Sequence, residues 1–154
     1  MILRPHIYLA SGWFNPEQKK QMDEVYATLQ RTGLDFFSPF YDGIVLTKDD
    51  PYLSKKMGVV WWVDTEMVRR SQLVIVCTQD HDVGTIYEAG FAGALGIPVL
   101  CYNSRPELGL NVMLAQAAKG FCKSPEQLQI AIHAFVDSGC SPAFQFNRWE
   151  GEPI

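Results

Sequence analysis

The chain has 154 residues, 47% of them hydrophobic and 19% charged, with a net charge of -4 and a pI of about 5.3. This fits one globular domain, 1–154, with a real core, and excludes a disordered chain. It also argues against an electrostatic nucleic-acid binder, because basic residues cluster only as the pairs Lys19-Lys20, Lys55-Lys56 and Arg69-Arg70.

The first apolar run, Ile7-Tyr8-Leu9-Ala10, ends at Ser11-Gly12 and reads as a strand. Asn15-Pro16-Glu17 opens a helix, with Asn as N-cap, Pro at the first helical position and an acid in the first turn. That helix runs to about Arg31, with Gly33 as its C-cap, and Asp35-Phe36-Phe37 is a second strand. The stretch from Ser38 to Gly58 is irregular, punctuated by Pro39, Gly43, Pro51 and Gly58. A loop of that length in a compact domain is usually functional or partly helical. Val59 to Arg70 reads as a helix carrying Asp64, with Trp61 and Trp62 in the core or at a subunit interface. Leu73 to Thr78 is a buried strand, and Gln79 to Val83 is a loop in which His81 is a solvated side chain. A helix from Thr85 ends near Gly96. Its Gly90 and Gly93 make sense where it packs closely on the sheet or on another chain. A fourth strand lies within Ile97 to Tyr102, a loop spans Asn103 to Leu110, and a short helix covers Asn111 to Ala118. Gly120-Phe121 is a brief fifth strand, and Ser124-Pro125-Glu126-Gln127 starts the last helix. The aromatic tail, with Phe144, Phe146 and Trp149, should dock on its own core or on a neighbouring subunit.

Strands alternating with helices imply a flavodoxin-like α/β fold, about five parallel strands with helices on both faces. No GxGxxG or P-loop motif is present, so a dinucleotide or P-loop nucleotide site is not expected. The four cysteines, Cys77, Cys101, Cys122 and Cys140, lie far apart and form no cluster that points to zinc. No signal peptide and no apolar run of membrane-spanning length is legible, so an intracellular, cytoplasmic protein with no membrane partner is expected.

Three carboxylates, Asp64, Asp82 and Glu88, come near the carboxyl edge of this sheet, where open α/β proteins bind ligands. Glu88 sits among small and apolar neighbours, a costly place for a carboxylate without a partner or a task. Two close carboxyl groups are the equipment of a retaining glycosyl enzyme: one attacks the anomeric carbon and the other handles the leaving group's proton. A hydroxyl such as that of Tyr8 can orient the attacking group and hold it ionised.

The stretches Ile7-Tyr8-Leu9-Ala10-Ser11-Gly12-Trp13-Phe14 and Asp82-Val83-Gly84, followed by Glu88, Gly90 and Ala92, resemble the nucleoside 2-deoxyribosyltransferases. Asp64 matches a family aspartate by its distance from the third strand, and Asn111-Val112-Met113 is similar to the family's Asn-Leu-Met segment. The ending Trp149-Glu150-Gly151-Glu152-Pro153-Ile154 is similar to the family's aromatic-Glu-Gly ending. The resemblance implies transfer of a 2-deoxyribosyl group between bases, by retaining double displacement and without a cofactor or metal. It makes Glu88 the nucleophile, Tyr8 its positioning partner, Asp64 the proton donor to the base and Asp82 an orienting group. Asn111, Met113 and the carboxylate of Ile154 become substrate-binding groups supplied by a neighbouring subunit of a homo-hexamer or dimer. Where the family often has a base-contacting glutamine, this chain has Phe40; Phe40, Trp13 and Phe14 are then candidates to wall the base. The substrates expected are 2′-deoxynucleosides and free nucleobases. The alternatives are an N-glycosidase that hands the sugar of a nucleoside or nucleotide to water, and a non-catalytic nucleotide-sensing module.

Overall fold

In the computed structural model, which describes residues 6–105, 109–152 and 154, the apolar runs pair as five parallel strands in the order β2-β1-β3-β4-β5. These are β1 (His6–Ala10), β2 (Asp35–Phe37), β3 (Leu73–Cys77), β4 (Val99–Tyr102) and β5 (Gly120–Cys122). Every residue of β3 and β4 is buried, as expected for central parallel strands covered on both faces. Alternation along β1 divides the core. Ile7 and Leu9 point to the layer made by α1 (Pro16–Thr32) and α6 (Pro125–Asp137). Tyr8 and Ala10 point to the layer made by α3 (Leu53–Arg70), α4 (Val83–Ala94) and α5 (Val112–Ala117). The register sets Tyr8 opposite Phe37 on one side and Val74 on the other.

Local signals act as expected at α1. The Asn15 side chain accepts from Gln18 N, and Gly33 closes the helix with a left-handed φ of 67°. Two boundaries differ. The 38–58 stretch is partly helical: Pro39–Asp42 forms the short α2, and α3 starts at Leu53 instead of Val59. An Asp50 carboxylate oxygen accepts from Tyr52 N at 2.8 Å and shapes the turn into α3. Gly58 lies inside that helix because one glycine costs only about 1 kcal/mol relative to alanine, too little to end it. Likewise α4 starts at Val83, since Asp82 acts as its N-cap. Trp61 and Trp62 are 57% and 58% exposed, which removes the core reading for both.

The tail docks on its own chain. Phe146 N donates to Lys119 O at 2.7 Å, and Phe121 N donates to Asn147 O at 2.9 Å, so the tail covers the free edge of β5. Gly120 is required there, because a Cβ would collide with the Phe146 carbonyl. Trp149 packs edge-on against Phe121 with ring centroids 4.6 Å apart, and its indole lies so close over Gly151 that no side chain fits. The 103–110 loop falls partly, and Pro153 wholly, outside the described residues. Among the described residues, no helix is long and apolar enough to cross a membrane.

Candidate active site

Strand β1 and helix α4 together place the central pair. Tyr8 is fully buried in mid-strand, stacked on Phe37 at 5.9 Å, and this packing fixes its ring. Its hydroxyl donates to Glu88 Oε1 at 2.7 Å. Burial, and then the negative charge of Glu88, push the Tyr8 phenol far above its usual range, so it remains a donor at any working pH. Glu88 lies in the second turn of α4, half-buried. Burial pushes its carboxyl up to about 8, the Tyr8 hydrogen bond opposes that rise, and the charges of Asp64 and Asp82 add to it. Asp64, half-buried on α3, is pushed up to about 6 by burial. Glu88 is therefore close enough to feel the charges of both Asp64 and Asp82, and the three gather at one site.

Asp82 carries the structural load of the turn. Its Oδ2 accepts from both the backbone N and the hydroxyl of Thr85, each at 2.9 Å, and so begins the helix that carries Glu88. Gly12, at the end of β1, is set against this turn: a Cβ there would come within 3.0 Å of Asp82 Cβ and 2.7 Å of the Gln18 side-chain oxygen. The same oxygen accepts from Phe14 N at 3.0 Å. The chain reversal after β1 leaves Phe14 72% exposed beside Trp13, with ring centroids 5.1 Å apart. Phe40 of α2 meets Trp13 at 5.4 Å. The aromatic residues named from the sequence are thus contiguous. Gly12 and Phe37, which brace the site, were not among the expected site residues. Only the Ser11-Gly12 strand ending hinted at the first of them.

Asn111, Met113 and Ile154 are also brought together, but elsewhere. The Asn111 side chain caps α5 by accepting from Met113 N at 2.9 Å and reaches the Ile154 carbonyl at 3.5 Å. Ile154 N donates to Leu110 O at 3.1 Å. These three residues line a groove of about 950 Å³ together with Gly90, Gly93 and His81. Tyr8, Asp64 and Glu88 are absent from that lining. Helical periodicity explains the separation: the buried stripe Thr85, Ala89 and Ala92 divides α4, with Glu88 on one flank and Ile86, Gly90 and Gly93 on the other. A Cβ at Gly90 or Gly93 would meet nothing within 4 Å, so these glycines do not serve packing on the sheet. His81 is not the solvated side chain expected: its Nε2 is buried and has no hydrogen-bond partner among the described residues.

The raised Glu88 carboxyl has a stability consequence. The folded chain holds this proton up to about 8, whereas the unfolded chain releases it near 4.5, so the fold is progressively penalised as pH rises through that interval. Glu88→Gln removes the penalty. By thermal unfolding, this variant melts above the native chain at pH 9, by roughly 5 °C, and together with it at pH 4.

Strand order and site define a flavodoxin-like α/β protein with clustered carboxylates at one edge of its sheet. The family model of the nucleoside 2-deoxyribosyltransferases matches residues 7–127, and the chain belongs to that family. The 2-deoxyribosyltransferase of Bacillus psychrosaccharolyticus has a similar structure, with a TM-score of 0.74 and 21% identity over 94% of this chain and 98% of that one. A 2-deoxyribosyltransferase from Leishmania mexicana is similar at a TM-score of 0.54 and 18% identity, covering 86% of this chain and 97% of its own. The CMP N-glycosidase of Clostridium botulinum is similar at a TM-score of 0.53 and 15% identity, covering 84% and 98%. At these identities the structures establish a shared fold. No curated protein matches the sequence significantly.

Proposed function

We propose that this protein exchanges bases between 2′-deoxynucleosides through a covalent deoxyribosyl-Glu88 intermediate. The observation that carries the reading is the 2.7 Å hydrogen bond from the buried Tyr8 hydroxyl to Glu88, with Asp64 near enough to perturb it. Tyr8 holds Oε1, and the other carboxylate oxygen attacks C1′ as the C1′–N bond breaks. The electrons of that bond leave with the base, which takes a proton from Asp64. A second base attacks C1′ from the vacated face, gives its proton back to Asp64 and expels Glu88. Two inversions give net retention. Without a 2′-oxygen the oxocarbenium-like state is easier to reach, and no hydroxyl competes for Glu88. Trp13, Phe14 and Phe40 offer aromatic faces to the base in place of an amide.

The full site is built between copies of the chain. Asn111, Met113 and Ile154 lie on the far flank of α4 from Glu88, so they serve the Glu88 of a second copy. The surface that would be covered is apolar: Val83 is 84% and Met113 75% exposed, and Trp61 and Trp62 project from α3. A homo-hexamer or dimer with shared sites follows. In this reading a terminal carboxylate at Ile154, brought near O5′, would repel a phosphate, which favours nucleosides over nucleotides. Removing Pro153 and Ile154 therefore lowers kcat/KM for a 2′-deoxynucleoside by about 10- to 100-fold, the scale of a lost charged hydrogen bond. Steady-state kinetics at fixed oligomeric state measures this, and full activity in the shortened chain rejects the shared terminus.

The decisive experiment mixes the protein with deoxyinosine or thymidine and a different free base. A new deoxynucleoside supports transfer. Free deoxyribose supports hydrolysis, which differs only in that water meets the intermediate. Neither product supports a ligand-sensing module.

A further inference from the structure

We propose that Trp61 is a base-binding residue: its indole roofs the site and stacks on the nucleobase beside Asp64. This rests on the functional reading above and adds to it a side chain from the first half of α3. Three observations point the same way.

The first is the reach of α3. Its 18 residues span about 27 Å, whereas the five residues of β1 span only about 17 Å. Only Ser71 and Gln72 join the end of α3 to the start of β3, so the helix ends at the amino edge of the sheet. Its first half therefore overhangs the carboxyl edge, where the three carboxylates gather. The second is the face that overhangs. Val68 and Thr65, 0% and 6% exposed, mark the side of α3 that packs on the sheet. At about 100° per residue, Trp61 lies only about 20° from Val68 around the helix axis, in that same stripe. It is nonetheless 57% exposed, as is Met57 one turn farther out, because the sheet has ended beneath them. Trp61 is thus open on the inner side, toward the site. Trp62 lies about 100° farther round and stays on the surface that a second copy can cover. The third is the distance from Asp64. Trp61 precedes it by three residues, which places it about 60° away and about 4.5 Å farther out on the same face. Asp64 is close enough for its charge to reach both Glu88 and Tyr8. A base bonded to C1′ at Glu88 and protonated by Asp64 therefore lies against the turn that carries Trp61.

The chemistry of that face selects the ligand group. An indole carries no charge and one N–H donor, so it offers little to a phosphate or a sugar hydroxyl beyond its broad π surface. Every nucleobase has a π face, and stacking on it tolerates changes in the ring substituents. That tolerance suits base exchange, in which one subsite must hold first the departing base and then a different incoming one. Trp13, Phe14 and Phe40 come from the ends of β1 and β2, so Trp61 adds an aromatic face from a separate element.

The test measures kcat and KM for base exchange in the wild type, Trp61→Ala and Trp61→Phe, with size-exclusion chromatography of each. It also measures quenching of tryptophan fluorescence by free adenine in the wild type and Trp61→Phe. Trp61→Ala raises KM about tenfold, the scale of one lost stacking contact, and lowers kcat less than about threefold, because stacking holds substrate and transition state alike. Trp61→Phe keeps a ring and recovers most of the affinity, while part of the adenine quenching disappears with the indole. An unchanged KM in Trp61→Ala overturns the proposal, and so does quenching undiminished in Trp61→Phe. A loss confined to kcat also overturns it, since Trp61 would then only steady Asp64, as does a loss that follows dissociation of the assembly. A wild-type chain that exchanges no bases sinks the functional reading. Adenine quenching needs no turnover and still decides whether Trp61 meets the base.

Discussion

Glu88→Ala abolishes base exchange, by on the order of 10⁴-fold or more, the scale seen when a covalent nucleophile is removed. In the proposed reaction the loss falls in kcat, because the residues assigned to binding, Trp13, Phe14, Phe40, Asn111 and Ile154, are untouched. The fold survives, since the half-buried Glu88 faces Tyr8 and not the apolar seam of α4 formed by Thr85, Ala89 and Ala92. Circular dichroism and size-exclusion chromatography check that point. A digest of native protein quenched during turnover carries one deoxyribosyl group on the Glu88 peptide. An exogenous small carboxylate such as formate, admitted to the space left in the alanine variant, restores part of the turnover. An alanine variant that exchanges bases at the native rate would remove Glu88 from the chemistry.

The second large effect concerns the proton. Glu88 is pushed up to about 8 and Asp64 to about 6, so the pair holds one proton between those values. Below about 6 both are protonated and Glu88 cannot attack. Above about 8 both are ionised and no acid meets the leaving base. kcat/KM is therefore bell-shaped, with limbs near 6 and 8. In the resting pair the proton favours Glu88, whereas the proposed reaction uses the form with it on Asp64. Tyr8 narrows that gap, because its hydrogen bond is worth most to ionised Glu88. Asp64→Asn lowers kcat/KM for natural nucleosides by about 10²- to 10⁴-fold and removes the alkaline limb. Its acid limb then reports Glu88 alone and moves to higher pH, because the Asp64 proton behind the limb near 6 is gone while burial still holds Glu88 up. A 2-deoxyriboside with a nitrophenolate leaving group, which departs without a proton, is spared most of the loss. Equal losses on both substrates would mean that Asp64 is not the acid.

Much of this molecule is legible in its sequence because the relevant signals are local. Asn15-Pro16 caps a helix, Gly33 ends it, and continuous apolar runs make central strands, whatever lies far away in the chain. The spacing from β3 to Glu88 likewise puts a carboxylate in the second turn of α4. Where local signals competed, the sequence was less clear. Gly58 and Pro51 suggested a loop, yet the Asp50 turn and good helix formers around Gly58 carry α3 back to Leu53. Trp61 and Trp62 read equally as core or interface, since hydrophobicity does not say which side of a helix has a partner.

The sequence by itself determined the strand order's ingredients, the family resemblance and which carboxylates are candidates, since each depends on residue type and spacing along one segment. Only the tertiary structure decided how those groups meet. The β1 register and the pitch of α4 put the Tyr8 hydroxyl 2.7 Å from Glu88 across 80 residues. The same pitch turns Gly90 and Gly93 to the opposite flank, where Asn111 and Ile154 line the same groove, and the 79–81 turn buries His81 Nε2. Distances of that kind are set by packing between distant elements, which no short stretch of sequence contains.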